Sequence, residues 1–472
     1  MLSNRTLKRT PLYLSIASLM TAGASYAAGF SLYSEGSAVE IGNFAAGAAA
    51  EVVDASTGWY NPAGLVLLKQ DNEVVISGVG VLPSLRMSGV STYETESIPA
   101  PYIQSFQNLS GAENALVPAI HAMHRLGERA ALGLSIVSPF GLSTNWGGDS
   151  AIRYAGTLSQ LTALNVSPEL SARITDTFSF GAGLDLQWAR VRFNGVAGTP
   201  AALQYLQSLG TPVFPTMYDS SAVNQGSSLG VGYHVGVLGA FNENHTRVGV
   251  NYQSGISHRF TGFSTLNGPF AGDDLLNPDS SAVFQFDGLT SNNIEFPEVI
   301  TLSAYQDVSK QWALLGSVVY TGWSVFKTVG LNNVAAYSLQ NDAPGVTSLS
   351  IDENYRNTWR FALGANYHVT DTWMLRAGGG YDQTPTVNAA RDVRLPDVNR
   401  WALSVGTHYQ VKPALGFDVG YTYLFGDGES VINKNQPIGT TSINNVTARA
   451  KSHAQLVGVQ MVWAVDKPSV VK

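Results

Sequence analysis

The sequence predicts an all-β chain: a transmembrane antiparallel β-barrel of about fourteen strands with an amino-terminal plug. Three observations lead there. Charged residues make up only 13% of the chain and aromatics 10%, glycine is abundant, and mean hydropathy is close to zero. The apolar residues are therefore spread along the chain. They alternate with small or polar residues at every second position, as a two-faced strand requires. The connections between these runs also alternate, short then long.

The alternation is clearest from Phe417 to Phe425. Phe417, Val419, Tyr421, Tyr423 and Phe425 share one face, and Asp418, Gly420, Thr422 and Leu424 the other. Trp401, Leu403, Val405, Tyr409 and Val411 alternate likewise with Ala402, Ser404, Gly406, His408 and Gln410. About fourteen such runs lie between Asn72–Leu82 and Lys451–Trp463, an even number that suits a bacterial barrel. A soluble sandwich also alternates, but its outward face carries bulky polar groups. Here that face is small, and aromatics recur at strand ends: Trp312 with Tyr320, Trp359 with Tyr367, Trp373 with Tyr381, Trp401 with Tyr409. Such rings belong at membrane interfaces. No run of eighteen apolar residues follows the amino terminus, so a spanning helix is not expected.

The chain divides into four parts. Residues 1–27 read as a secretory signal: Arg5, Lys8 and Arg9, then the apolar stretch Leu12 to Met20, then Ser25-Tyr26-Ala27 before the cut. Removing them takes the formal charge from −7 to −10. An acidic chain with no basic run is not a nucleic-acid binder. Residues 28–70 are rich in Gly and Ala without alternation, and carry Phe30, Ile41, Phe44, Trp59 and Tyr60; they read as a plug packed in the lumen. Residues 71–465 form the barrel and 466–472 a tail. Trp463 closes the last strand, nine residues before the chain end.

Catalytic and cofactor chemistry finds little support. Cysteine is absent, which removes disulfides, thiolate metal sites and a cysteine nucleophile. His121 and His124 fall on opposite faces of one strand, so they make no metal pair. Gly230, Gly232 and Gly236 lie in a strand and not before a helix, so they make no dinucleotide loop. No serine–histidine–acid order stands out. The chain reads as a non-enzyme without cofactor or metal; a lipid-modifying barrel enzyme is the alternative of another class.

An ordered set of segments resembles the FadL family of outer-membrane long-chain fatty acid transporters, whose relatives include toluene channels. It starts with Ala28-Gly29-Phe30 and runs through Asp54-Ala55-Ser56-Thr57 and Tyr60-Asn61-Pro62-Ala63-Gly64. Ser138-Pro139-Phe140-Gly141-Leu142, Tyr320-Thr321-Gly322-Trp323-Ser324, Arg394-Leu395-Pro396-Asp397 and Gly420-Tyr421-Thr422-Tyr423-Leu424-Phe425 follow. The resemblance covers essentially the whole mature chain, though the trailing residues after Trp463 depart from the aromatic end usual in the family. It implies a fourteen-stranded barrel with an amino-terminal hatch, in the bacterial outer membrane among its lipid and lipopolysaccharide. It further implies passive uptake of hydrophobic small molecules, with fatty acids or, alternatively, monoaromatic hydrocarbons as cargo. Ligand would be caught by loops, held beside the hatch and released sideways at a kinked third strand. Phe30 would then adjoin the pocket, Ala130–Ser138 would carry the kink, and Asn61, Pro62 and Ala63 would form a hatch turn or gate.

Several residues fit such a ligand. Leu203, Leu206 and Leu209 recur at about helical spacing in a long loop that also holds Phe214, which makes a candidate greasy groove. Candidate partners for a carboxylate are Arg153, Arg190 with Arg192, and Lys327. Arg173, Arg247, Arg360 and Arg376 fall on lumen faces, where pairing with Glu169, Asp185 or Asp382 would hold the plug. The expected assembly is a monomer.

Overall fold

A computed structural model describes residues 29–338 and 341–465. The signal segment 1–27, Ala28 and the tail 466–472 lie outside the described residues.

Among the described residues fourteen antiparallel strands close into a barrel. In order they are Asn72–Thr95, Ala115–Gly127, Ala130–Val137, Leu158–Arg173, Phe178–Ala197, Ser220–Phe241 and Thr246–Gln253, then Val299–Asp307, Trp312–Thr321, Thr358–Thr370, Trp373–Asp382, Arg400–Lys412, Leu415–Gly426 and Ser442–Ala464. Closure joins the first strand to the last along a register from Glu73↔Ala464 to Thr95↔Ser442. A closed ladder leaves no backbone donor or acceptor facing lipid, which is why strands span a membrane only in this form.

The wall runs further outward than the alternation suggested. Stretches read as loops continue as β-hairpins above the barrel, among them Tyr102–Ser110, Ala343–Asp352 and Ser430–Ile438. The aromatic pairs stack across neighbouring strands at two heights. Trp312 meets Tyr367 at 4.7 Å near the short turns, while Tyr320 meets Trp359 at 5.1 Å and Tyr381 meets Trp401 at 4.7 Å toward the long connections. Eight residues separate Trp312 from Tyr320, about 26 Å along a strand at ~3.3 Å per residue. Allowing for strand tilt, these rows bracket the apolar band of an outer-membrane barrel.

Residues 29–68 fill the lumen as a hatch. It contains the short helices Ala38–Asn43 and Thr57–Tyr60 and the tight turn Pro62–Leu67. Almost every residue of it is buried. The small inward face of the wall is explained by this fit. A Cβ at Gly378 would lie 2.2 Å from the Asn43 carbonyl oxygen, and one at Gly420 would lie 2.4 Å from that of Ala38. Only glycine lets the two backbones approach so closely. The hatch's backbone groups are satisfied by wall side chains: Thr422 Oγ1 donates to Ile41 O at 2.6 Å, Ser317 Oγ accepts from Gly47 N at 2.8 Å, and Arg247 donates to Ala50 O and Glu51 O at 2.8 and 2.7 Å.

Arg247 and Arg360 thus hold the hatch, through other partners than expected, while Arg376 is paired chiefly within the wall and reaches hatch Glu51 at 3.9 Å. Arg360 lies over the Phe44 ring and donates to Phe44 O, while Arg376 pairs with Asp418 at 2.7 Å. Glu169 and Asp185 face His234 instead, and Asp382 faces Arg400. Hatch backbone carbonyls are acceptors that no side-chain pattern reveals.

Candidate functional site: a kinked wall strand and an aromatic cage

The third wall strand breaks at Ser138-Pro139-Phe140 and resumes at Gly141–Asn145. Against the fourth strand, Val137 pairs with Asn165 and Gly141 with Thr162. Three residues therefore oppose two, which is a β-bulge. Proline has no N–H to give the ladder and favours such a break. On the other side, pairing with the second strand ends at Ile120↔Ile136 and is renewed only by the bridge Ala112↔Thr144. Between these points the second and third strands part, and the wall has a gap.

The start of the hatch backs this gap from within. Leu32 N donates to Pro139 O at 2.8 Å and Gly141 N donates to Phe30 O at 2.9 Å. Phe30 is 2% exposed and sits inside a cage of Phe140, Phe296, Trp323, Phe326 and Tyr355, with ring centroids 4.6 to 6.4 Å away. A small cleft, open to solvent, adjoins the cage. Leu32, Trp59, Phe140 and Phe296 line it beside the polar Asn165, Asp185 and Gln187. The long connection after the eleventh strand folds inward and tethers the same end: Gly29 N donates to Asp397 Oδ2 at 3.0 Å.

Asn61 joins hatch to wall. Its Oδ1 accepts from Ala63 N at 3.1 Å, and its Nδ2 donates to Ala49 O at 2.7 Å and to Val237 O of the sixth strand at 3.2 Å. Pro62 opens the following turn, and Ala63 O accepts from Ser171 and Ser179. The triplet is an anchor two residues beyond Trp59, which lines the cleft. Asn61→Ala removes three hydrogen bonds and leaves buried groups unpaired, a loss of about 2–4 kcal/mol. Expected are slowed uptake and earlier thermal loosening of the hatch, with the barrel's heat-modifiable gel mobility retained; unchanged uptake would show that Asn61 has no gating role.

The four candidate cations separate, and Arg192 bonds Asn194 at 3.3 Å. Arg153 is buried and fully engaged, bonding Asp219 at 2.8 Å, Gln104, Tyr154 and Ser150 O, so it fastens loops and is not open to a ligand. Arg190 points to the outside of the barrel, where it bonds Gln225. The parity was in the sequence, since Leu184 and Leu186 on the same face look outward. Lys327 is exposed at the mouth, next to Phe326 of the cage. Glu353, whose N–H donates to Lys327 O, is buried; that burial, with Asp392 close by, pushes its carboxyl up to about 8.

The groove residues also separate. In the loop helix Pro200–Ser208, Leu203 turns inward and is 3% exposed, whereas Leu206, Leu209 and Phe214 are exposed. Helical spacing identified the helix but not which leucine its packing would bury. Phe30 was expected beside a pocket, but the cage around it was missed, because its rings come from four separate places in the chain.

A family model described as "Outer membrane protein transport protein (OMPP1/FadL/TodX)" matches residues 18–464. The chain belongs to this family. It is accordingly a multi-pass protein of the bacterial outer membrane. The long-chain fatty acid transport protein of Escherichia coli K12 is 27% identical over 434 residues, covering 89% of this chain and 92% of that one. The 47 kDa outer membrane protein of Pasteurella multocida is 28% identical, covering 94% and 97%. Among solved structures, a Pseudomonas aeruginosa FadL homologue superposes with a TM-score of 0.75 at 20% identity, covering 93% of this chain and all of that one. The Pseudomonas putida toluene transporter TodX superposes at 0.61 with 16% identity, covering 94% and 100%. These similarities make the fold that of the FadL and TodX barrels. None of these names is an enzyme's.

Proposed function

We propose that the protein is a passive channel for uptake of hydrophobic compounds, with long-chain fatty acids as cargo. Ligand is gathered by exposed apolar loop residues, enters the aromatic cage beside the hatch, and leaves sideways through the gap at the third strand. The observation that carries this reading is the placement of the cage directly against an interrupted stretch of wall. An apolar path from lumen to membrane interior is what a greasy solute needs and a water-filled pore does not provide. Each methylene moved from water into such a path gains about 0.8 kcal/mol, so a long acyl chain is held without any energy source.

Fatty acids are favoured over neutral hydrocarbons by Lys327 at the mouth, and by 27% identity to a long-chain fatty acid transport protein over most of both chains. The second reading is a monoaromatic hydrocarbon channel, supported by the rings of the cage and by the toluene transporters of like fold. The deciding experiment is uptake of labelled oleate and labelled toluene by a deletion strain with and without this protein. Oleate uptake is expected to depend on it, and Lys327→Gln to raise the apparent KM for oleate about fivefold while leaving any toluene flux alone, as loss of an exposed charge contact of ~1 kcal/mol would. Protein-dependent toluene uptake without oleate uptake would establish the second reading.

A further inference from the structure

We propose that Arg86, Arg449 and Lys451 form a site on the outer wall for the phosphate groups of a membrane glycolipid. Arg86 lies directly opposite Lys451 in the seam between the first and last strands, and Arg449 is the next outward residue of the last strand, opposite Ser88. The alternate residues Leu85, Met87, Ala448 and Ala450 are buried, so all three cations point out of the barrel. Like charges set opposite one another in a ladder repel and destabilise it. Among the described residues one carboxylate faces them: Glu429 lies 3.2 Å from Lys451 Nζ and 3.5 Å from Arg449, while Arg86 donates to Asn108 O at 3.3 Å. Asp427, two residues before it, donates its backbone N–H to Asn399 O at 2.7 Å, toward the twelfth strand. Three cations against one anion leave an excess of two positive charges on a small exposed patch.

Its height decides what that charge meets. The row below joins Ser84, His453 and Phe425, and Phe425 pairs with Trp401 of the upper aromatic row. The cations thus stand two residues above that row, roughly 7 Å along the strand, where lipid headgroups lie. Below them the first strand presents Gly78 and Gly80 outward, opposite Val459 and Val457. With no side chain at these two positions, an acyl chain can lie close against the strand beside Leu116. A phosphate above and an apolar chain below together describe a phosphorylated glycolipid, and guanidinium groups recognise phosphate in two-pronged fashion. The site is independent of the cargo carried through the lumen.

The test is titration of the purified protein in detergent with bis-phosphorylated lipid A, read by native mass spectrometry. Wild type should bind it, and R86Q/R449Q/K451Q should bind at least tenfold more weakly, a loss of ~1.4 kcal/mol or more across three charge-assisted contacts. Dephosphorylated lipid A should bind wild type at least tenfold more weakly as well, and millimolar inorganic phosphate should not displace the lipid. E429Q, which removes the competing carboxylate, should bind about threefold tighter. Equal binding by the triple variant, equal binding of the dephosphorylated lipid, or displacement by phosphate alone would each overturn the proposal. Heat-modifiable mobility reports folding of the triple variant; if it fails to fold, E429Q decides, and no gain in its affinity overturns the site.

Discussion

Gly378→Val is expected to make the barrel leak. Gly378 stands in the eleventh strand beneath the hatch helix Ala38–Asn43, with the Asn43 carbonyl oxygen 2.2 Å from where a Cβ would be. The obstacle is backbone at the end of a buried helix, so no side chain can swing aside. Overpacking of this kind typically costs about 1–3 kcal/mol, and the strand cannot yield because both neighbours hold it in a closed ladder. The hatch must therefore lift from the wall and lose the bonds that Thr422, Ser317 and Arg247 make to its backbone. Liposome swelling with small sugars should show about a tenfold rise in permeability, since freeing a channel the width of a hatch replaces exclusion by diffusion. Gly345→Val is the control: nothing lies within 4 Å of a Cβ there, and permeability should stay at the wild-type level. Equal swelling rates for Gly378→Val and wild type would show that the hatch is not held shut by this contact.

Deletion of Pro139 is expected to abolish most uptake while leaving a folded barrel. Three residues, Ser138 to Phe140, oppose the two residues Ala163 and Leu164. With one removed, Ser138 falls opposite Leu164, Phe140 stays opposite Ala163, and Gly141 keeps Thr162. The inward and outward faces remain in step, which a deletion elsewhere in the wall would reverse. The straightened strand can then continue its pairing with the second strand past Ile120↔Ile136 and close the gap. Oleate uptake should fall at least tenfold, because a hydrogen-bonded wall offers an acyl chain no opening. Heat-modifiable mobility should be unchanged. Uptake at the wild-type rate would place the exit elsewhere.

The barrel was legible because its signal is distributed: each strand repeats the same two-residue period, so errors at one end of a run do not disturb the count. Arg190 was legible too, since parity with Leu184 and Leu186 puts it on the outer face, although proximity to a loop suggested a ligand role. Contacts across the lumen were not legible. Arg247 finds the carbonyls of Ala50 and Glu51 nearly two hundred residues away in the chain, and backbone acceptors leave no trace in composition. Nor could spacing show that Phe30, Phe140, Phe296, Trp323, Phe326 and Tyr355 converge, because the hatch and three separate connections must fold before those rings meet. The bulge left a partial sign, the proline that follows the alternating run Ala130–Ser138, whose effect only the neighbouring strands determine.

The seam between Asn72–Thr95 and Ser442–Ala464 has a consequence for how the molecule is made. The segment that becomes the hatch is synthesised before any of the wall, yet its docking floor includes Gly420 and Gly458, which come among the last. Until the first and last strands pair, the cylinder is an open sheet with two unpaired margins. Zipping those margins together encloses whatever already lies against the inner surface, so entry of the hatch and joining of the seam must be timed as one event in biogenesis.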